Sequence, residues 1–210
     1  MKAITEWFDQ RLGGWEFYKK HLAYPLPEDL TVWHLFGGLT IGVILIQITT
    51  GVYMLFFYDS APLLSHQSIR DMCNKTTLGA LFRNGHRWSA TFGVLFLSIH
   101  MLHVMARRAY KPPREANWWT GLFLAFLFVL LLITGIIMPW DWRSYWELVI
   151  WADWLNTAPV IGGALKGMLL RSFSHGLNYW LHILILPVFI VTFLAGHIVL
   201  FRMRGPTARV

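Results

Sequence analysis

Four stretches of this chain are long enough to cross a bilayer and almost free of charge, and that property constrains the fold more than any other. A spanning helix needs about 20 mostly apolar residues to cross roughly 30 Å of hydrocarbon. Val32 to Phe57, Trp118 to Met138 and Asn178 to Phe201 contain no charged residue, and Gly85 to Met105 contains only Arg87 near its start. Backbone polar groups have no water partner in hydrocarbon, so such segments span as helices. The reading is an all-α transmembrane protein, with spans at about 32–57, 85–105, 118–138 and 178–201 forming a single four-helix domain over 1–210. The first 30 residues are polar and lack the basic–apolar–small order of a cleaved leader. Trp118 and Trp119 at one end of the third span, and Trp140 and Trp142 at the other, stand where two interfacial aromatic belts would lie.

Composition agrees. Charged residues make up 14% of the chain and hydrophobic ones 56%, against about 25% charged in an ordinary soluble domain. The single cysteine, Cys73, excludes an internal disulfide framework and an iron–sulfur cluster held by this chain alone. The net charge of +7 raises the question of nucleic acid, but its distribution answers it. Four spans put both termini on one side. That side carries Lys2, Arg11, Lys19, Lys20, Arg107, Arg108, Lys111, Arg114, Arg202, Arg204 and Arg209, eleven of the 18 basic residues. By the positive-inside rule it is the cytoplasmic side, and no nucleic-acid partner is needed. The long connection from Trp140 to Leu177 carries apolar residues at helical spacing (Trp146, Val149, Ile150, Trp154, then Val160, Leu165, Met168, Leu169), which predicts one or two short amphipathic helices on the outer surface.

Nine histidines are present. His86 and His100 sit 14 residues apart on the second span, and His182 and His197 sit 15 apart on the fourth. In a left-handed bundle the packing period approaches 3.5 residues, so 14 residues return to one face. Pro187 lies inside the longer interval and is expected to absorb its extra residue. The second and fourth spans both run from outside to inside. His86 and His182 are then expected near the outer rim, and His100 and His197 near the inner rim. Each pair has the donors to supply both axial ligands of one haem iron. A lone histidine in a membrane helix more simply hydrogen-bonds a neighbouring helix; two pairs at matching depth favour ligation, because intramembrane ionisable groups are costly. His103, His21, His34, His66 and His175 are assigned packing or loop roles. Gly37 and Gly51 on the first span, and Gly121 and Gly135 on the third, repeat the interval of 14 and suit the close approach of a flat macrocycle; ordinary small-residue helix packing alone would not require that shared period. Arg83, Arg87 and Arg202 are suited to pair with haem propionates, or simply to snorkel at the rims.

These residues carry a resemblance. Gly37–Gly38 through Gln47 and Thr50–Gly51, Arg83-x-x-His86-Arg87-Trp88-Ser89-Ala90 with His100, and Lys111-Pro112-Pro113-Arg114-Glu115 follow one another along the chain. Thr134–Gly135, Pro139-Trp140-Asp141, Pro159-Val160-Ile161-Gly162, and His182 with Pro187 and His197 complete the set. In this order the chain resembles the cytochrome b6 and cytochrome b N-terminal family of cytochrome bc complexes. The resemblance implies two non-covalent b-type haems with axial pairs His86/His182 and His100/His197, in a quinol:cytochrome c oxidoreductase complex that is active only when assembled. It implies quinol oxidation near the outer haem beside Pro139, Trp140 and Asp141, and quinone reduction near the inner haem and Arg202. One electron would pass to a Rieske iron–sulfur protein and on to a cytochrome c-type carrier or subunit, the other through the two haems. The expected partners further include a three-helix chain like subunit IV and membrane lipid. The expected assembly is a dimeric complex in the bacterial cytoplasmic (inner) membrane, with this chain multi-pass and both termini inside.

Some positions depart from the family's pattern. Leu35 stands where many cytochrome b6 proteins have a cysteine that tethers an extra c-type haem, so a covalent haem is not expected. Leu177 replaces an arginine before the outer ligand, and the Arg202-Met203-Arg204-Gly205-Pro206 end differs from the usual one. These changes set the chain apart from plant and cyanobacterial proteins. The competing reading is a dihaem membrane anchor exchanging electrons between quinone and an unrelated peripheral enzyme.

Overall fold

In the computed structural model the described residues are 31–204, with the side chains at 171, 172, 203 and 204 outside the description. The basic residues Lys2, Arg11, Lys19, Lys20 and Arg209, and His21, therefore lie outside the described residues. Everything regular among the described residues is helical. A single 3-10 turn, Val32–His34, leads into α1 (Leu35–Leu55). Then come α2 (Ser65–Lys75), α3 (Gly79–Ala106), α4 (Glu115–Ile137), α5 (Trp142–Asn156), α6 (Gly162–Ser172), α7 (His175–Trp180), a π turn (Leu181–Ile185) and α8 (Leu186–Arg204).

Four of these helical runs are long and apolar enough to cross a membrane: Val32–Leu55, Gly79–Ala106, Glu115–Ile137 and His175–Arg202. Between 11% and 22% of each run's most apolar stretch is buried inside the protein, so most of its Leu, Ile, Val and Phe side chains point outward, as lipid-facing helices require. The second span starts six residues earlier than hydropathy predicts, at Gly79. The added turns carry Phe82 and Arg83, and the Phe82 ring stacks on Tyr53 of α1 at 4.0 Å. Helix α2 was not anticipated between the first two spans. It is short and polar, and an Asp71–Lys75 ion pair at 3.0 Å lies along its surface. The amphipathic pair predicted in the long outer connection is present as α5 and α6, packed on each other.

The spans associate as two pairs. α1 runs along α3, and α4 runs along the fourth span, whereas backbones from different pairs approach only at isolated points. One such point is at mid-depth. Gly93 of α3, seven residues from both His86 and His100, receives the ring of Phe128 of α4 and a methyl of Val43 of α1. Beside it Leu127, Leu186 and Ile190 form a buried cluster touched by Ile44, Leu130, Leu131 and Leu181. This apolar layer divides the interior into two tiers, labelled outer for the side of α2 and α5 and inner for the opposite side.

The 15-residue interval on the fourth span is accommodated by the π turn. The Leu186 N–H bonds the Leu181 carbonyl five residues back, and the wide turn ends two residues before Pro187. A π turn holds an extra residue without disturbing the helix on either side. Proline helps because its ring nitrogen has no hydrogen to give to residue 183.

Candidate functional site

At the outer tier His86 of α3 faces His182 of the fourth span, with ring centres 6.3 Å apart and planes at 67°. At the inner tier His100 lies close enough to His197 for their charges to interact. Behind each imidazole stands one of the four glycines. A Cβ on Gly135 would lie 2.7 Å from His182 Cε1, and Cβ atoms on Gly37 and Gly121 would lie 3.1 Å and 3.2 Å from the same atom of His100 and His197. The corresponding distance from Gly51 to His86 is 3.5 Å. Each glycine belongs to the same helix pair as the imidazole it backs. The space it leaves is thus taken first by the neighbouring histidine.

Threonine hydroxyls orient three of these rings. Thr50 Oγ1 is 2.8 Å from His86 Nδ1, Thr134 Oγ1 is 3.0 Å from His182 Nδ1, and Thr120 Oγ1 is 2.9 Å from His197 Nδ1. Each hydroxyl donates its one proton to a carbonyl of its own helix: Ile46 for Thr50, Leu130 for Thr134, Asn117 for Thr120. Toward histidine the oxygen is then left to accept, so Nδ1 carries the proton and Nε2 keeps a free lone pair. Gln47 fastens α1 to α3 at the same level, its Nε2 donating to the His86 carbonyl at 2.5 Å and to Ser89 Oγ at 2.6 Å. Asn178, buried, donates to the Thr134 carbonyl at 3.1 Å.

The arginines divide between the two rims. Arg83 is half-buried on the outer turns of α3, within electrostatic reach of Arg87 and Asp141, while Arg87 is exposed one residue after His86. Arg202 is exposed near the inner end of α8. The Pro139–Asp141 segment forms a sharp corner between α4 and α5. Trp140 adopts a positive φ of 48°, and Asp141 caps α5 by accepting from the Ser144 N–H and hydroxyl, both at 2.8 Å. Burial opposes ionisation of Asp141, but these hydrogen bonds win and hold its carboxyl below the usual range. Trp140 stacks on Phe173 at 5.3 Å and lies 5.1 Å from the His175 ring. His175 in turn joins three segments: its Nε2 is 2.8 Å from Tyr58 Oη and 2.9 Å from Ser65 Oγ, and Tyr58 donates to the Met138 carbonyl at 2.7 Å. Burial pushes the Tyr58 phenol up to about 12, so it stays a neutral donor.

The structure thus brings His86, His182, Gly51 and Gly135 together at one tier and His100, His197, Gly37 and Gly121 at the other, with the Trp140 corner and Arg83 on the outer side. His103, expected only to pack, meets His34 edge-on at 4.5 Å. The threonines went unassigned in the sequence, although a signal was there: a Thr-Gly dipeptide recurs at 50–51, 120–121 and 134–135. The Tyr58–Ser65–His175 knot had no such signal, since its members are 110 and 117 residues apart.

Known proteins are similar to this chain. The cytochrome b/b6/petB family profile matches residues 21–205. Cytochrome b6 of Heliobacterium modesticaldum is 36% identical over 206 residues, covering 95% of this chain and 97% of that one. Cytochrome b6 of Euglena gracilis is 32% identical, covering 98% of each. A chain of a hyperthermophilic respiratory Complex III superposes with a TM-score of 0.86 at 24% identity, over 95% of this chain and 55% of that chain. Four apolar spans in this order, the two facing-histidine tiers and a family match along nearly the whole length identify the chain as a multi-pass membrane protein of the cytochrome b/b6 family.

Proposed function

We propose that this chain is the dihaem b subunit of a quinol:cytochrome c oxidoreductase-type complex, with His86 and His182 holding one haem and His100 and His197 the other. Membership of the family implies b-type haem. The observation that carries the finer reading is the pair of facing imidazoles, each backed by glycine. Two imidazoles on opposite sides of one metal, each bonded at roughly 2 Å, have ring centres about 6 Å apart, and the outer pair stands at 6.3 Å. Among the described residues no three His, Cys, Asp or Glu gather to hold a bare ion. Donors in twos suit a metal whose other positions are filled by a macrocycle. A haem with two imidazole ligands exchanges single electrons and leaves no open position for oxygen or substrate.

In this reading the protein's residues bind, orient and insulate. The glycines let each imidazole lie against its neighbouring helix, and the hydroxyls of Thr50, Thr134 and Thr120 keep Nε2 unprotonated. The layer of Val43, Phe128 and Ile190 keeps water from the path between tiers. Arg83 and Arg87 supply positive charge for propionates on the outer side, and Arg202 on the inner side. Pro139, Trp140 and Asp141 border the quinol-oxidising pocket, which the partner chains complete: a Rieske protein, a three-helix chain like subunit IV and a cytochrome c-type carrier or subunit, in a dimeric complex. The membrane is the bacterial cytoplasmic one, with both termini inside.

Haem counting and a reduced-minus-oxidised spectrum of the purified complex test this. Two b-type haems per chain are expected; His86→Ala and His182→Ala should remove the same one, and His100→Ala and His197→Ala the other. Absence of pigment, or loss of different haems within one pair, would overturn the assignment. Purification with an unrelated peripheral enzyme and no Rieske protein would favour a dihaem anchor instead.

A further inference from the structure

We infer that Tyr58, Ser65 and His175 are positioning residues: their knot holds the Trp140 corner in a strained backbone conformation and so sets the wall that a quinol meets. This rests on the reading above of Pro139, Trp140 and Asp141 as the border of the quinol-oxidising pocket. Trp140 has a φ of 48°, in the left-handed region where a Cβ crowds the following carbonyl. Glycine or asparagine takes such a corner at less cost. A bulky indole stays there only where its surroundings over-determine it, and strain of this kind concentrates at ligand clamps.

The corner is clamped from both sides. On the α4 side the Tyr58 hydroxyl, from the segment after α1, donates at 2.7 Å to the carbonyl of Met138, two residues before Trp140. On the α5 side Ser144, almost fully buried, has its Oγ 3.0 Å from the Ile136 carbonyl and 2.8 Å from Asp141 Oδ1. His175 ties the first clamp to the indole. Its Nε2 lies 2.8 Å from Tyr58 Oη and 2.9 Å from Ser65 Oγ, and its ring centre stands 5.1 Å from that of Trp140. The Tyr58 proton goes to Met138 and the Ser65 proton to the Ala61 carbonyl, 2.8 Å away. Both oxygens therefore accept, and His175 Nε2 carries the hydrogen. Nδ1 is left with a bare lone pair, buried and without a partner among the described residues. A buried acceptor that goes unbonded costs stability. The imidazole is thus kept for the bonds its Nε2–H makes and for its contact with Trp140, not for filling space.

The test measures quinol oxidation by the intact complex, with tetramethylhydroquinone as donor, a soluble cytochrome c as acceptor and haem content as control. His175→Phe keeps a flat ring beside Trp140 but removes the Nε2–H, and Tyr58→Phe removes one hydroxyl. Each should raise KM about tenfold while kcat stays within about twofold, the signature of lost binding that is equal in ground and transition states. Both haems should remain. His175→Gln, whose amide can donate to both oxygens, should recover most of the affinity. Unchanged KM in the two phenylalanine variants with both haems present would overturn the inference. A fall in kcat at constant KM would overturn it too, because the knot would then act in the chemical step. If His175→Phe fails to assemble, Tyr58→Phe decides, since it takes away a single atom. A wild-type complex that holds both haems yet oxidises no tetramethylhydroquinone would instead refute the underlying reading of the corner.

Discussion

At the scale of single residues, the glycines form a graded series. The Cβ of alanine would lie 2.7 Å from the imidazole at Gly135, 3.1 and 3.2 Å at Gly37 and Gly121, and 3.5 Å at Gly51. Contacts below about 3 Å force a shift, and in a close-packed interior the imidazole or the helix must give way. Gly135→Ala should therefore lose most of the outer haem, Gly37→Ala and Gly121→Ala should weaken the inner one, and Gly51→Ala should retain both. Haem content per purified chain checks the order, and equal loss at all four positions would refute it. The histidine and glycine intervals were readable in the sequence because a bundle repeats near seven residues. The threonines were harder to read, because what assigns them is where each hydroxyl sends its proton, and that needs the neighbouring helix in place.

At the scale of elements, the π turn at Leu181–Ile185 reconciles an interval of 15 on the fourth span with one of 14 on the second. Deleting Leu184 should convert the wide turn to ordinary α-helix and leave His182 and His197 on a common face, so both haems should be kept. Inserting an alanine after Phe96 in α3, which has no such turn, should rotate His100 by about 100° relative to His86 and cost a haem. Retention of both after the insertion would contradict the role given to the interval. Proline in the sequence pointed to the offset; the width of the turn was not readable, since a π turn has no residue signature of its own. Likewise α2 escaped detection because it has neither the length nor the apolar face of a span. α5 and α6 were legible from the helical spacing of Trp146, Val149, Ile150 and Trp154. Their corner at Trp140 and the exposed Val160, both with positive φ, were not, because side chains with a Cβ seldom adopt that backbone.

At the scale of the whole molecule, the two helix pairs meet at mid-depth through Gly93. A Cβ there would lie 2.7 Å from Phe128 Cζ and 3.0 Å from Val43 Cγ1. Gly93→Ala should therefore diminish both haems together, unlike any substitution within one tier, and Gly93→Ala with Phe128→Leu should recover part of the loss, because residues in contact couple. Haem content at each tier again provides the readout; selective loss of one would show that the layer belongs to that tier alone. The four spans were legible from hydropathy, and the grouping of the histidines into two levels from their spacing and the direction of the spans. The pairing of first with second and third with fourth spans was not, since it depends on which small residue meets which ring.

That pairing has a consequence for how the chain matures. Every glycine–imidazole and threonine–imidazole contact is internal to one hairpin, so each hairpin can complete its own half of both sockets independently. What clasps the halves, apart from the mid-depth layer and the Tyr58 knot, is a ligand gripped from both sides. Newly made chains starved of that ligand should thus splay like an unfastened hinge, and supply of pigment becomes the checkpoint at which the membrane either keeps the polypeptide or discards it.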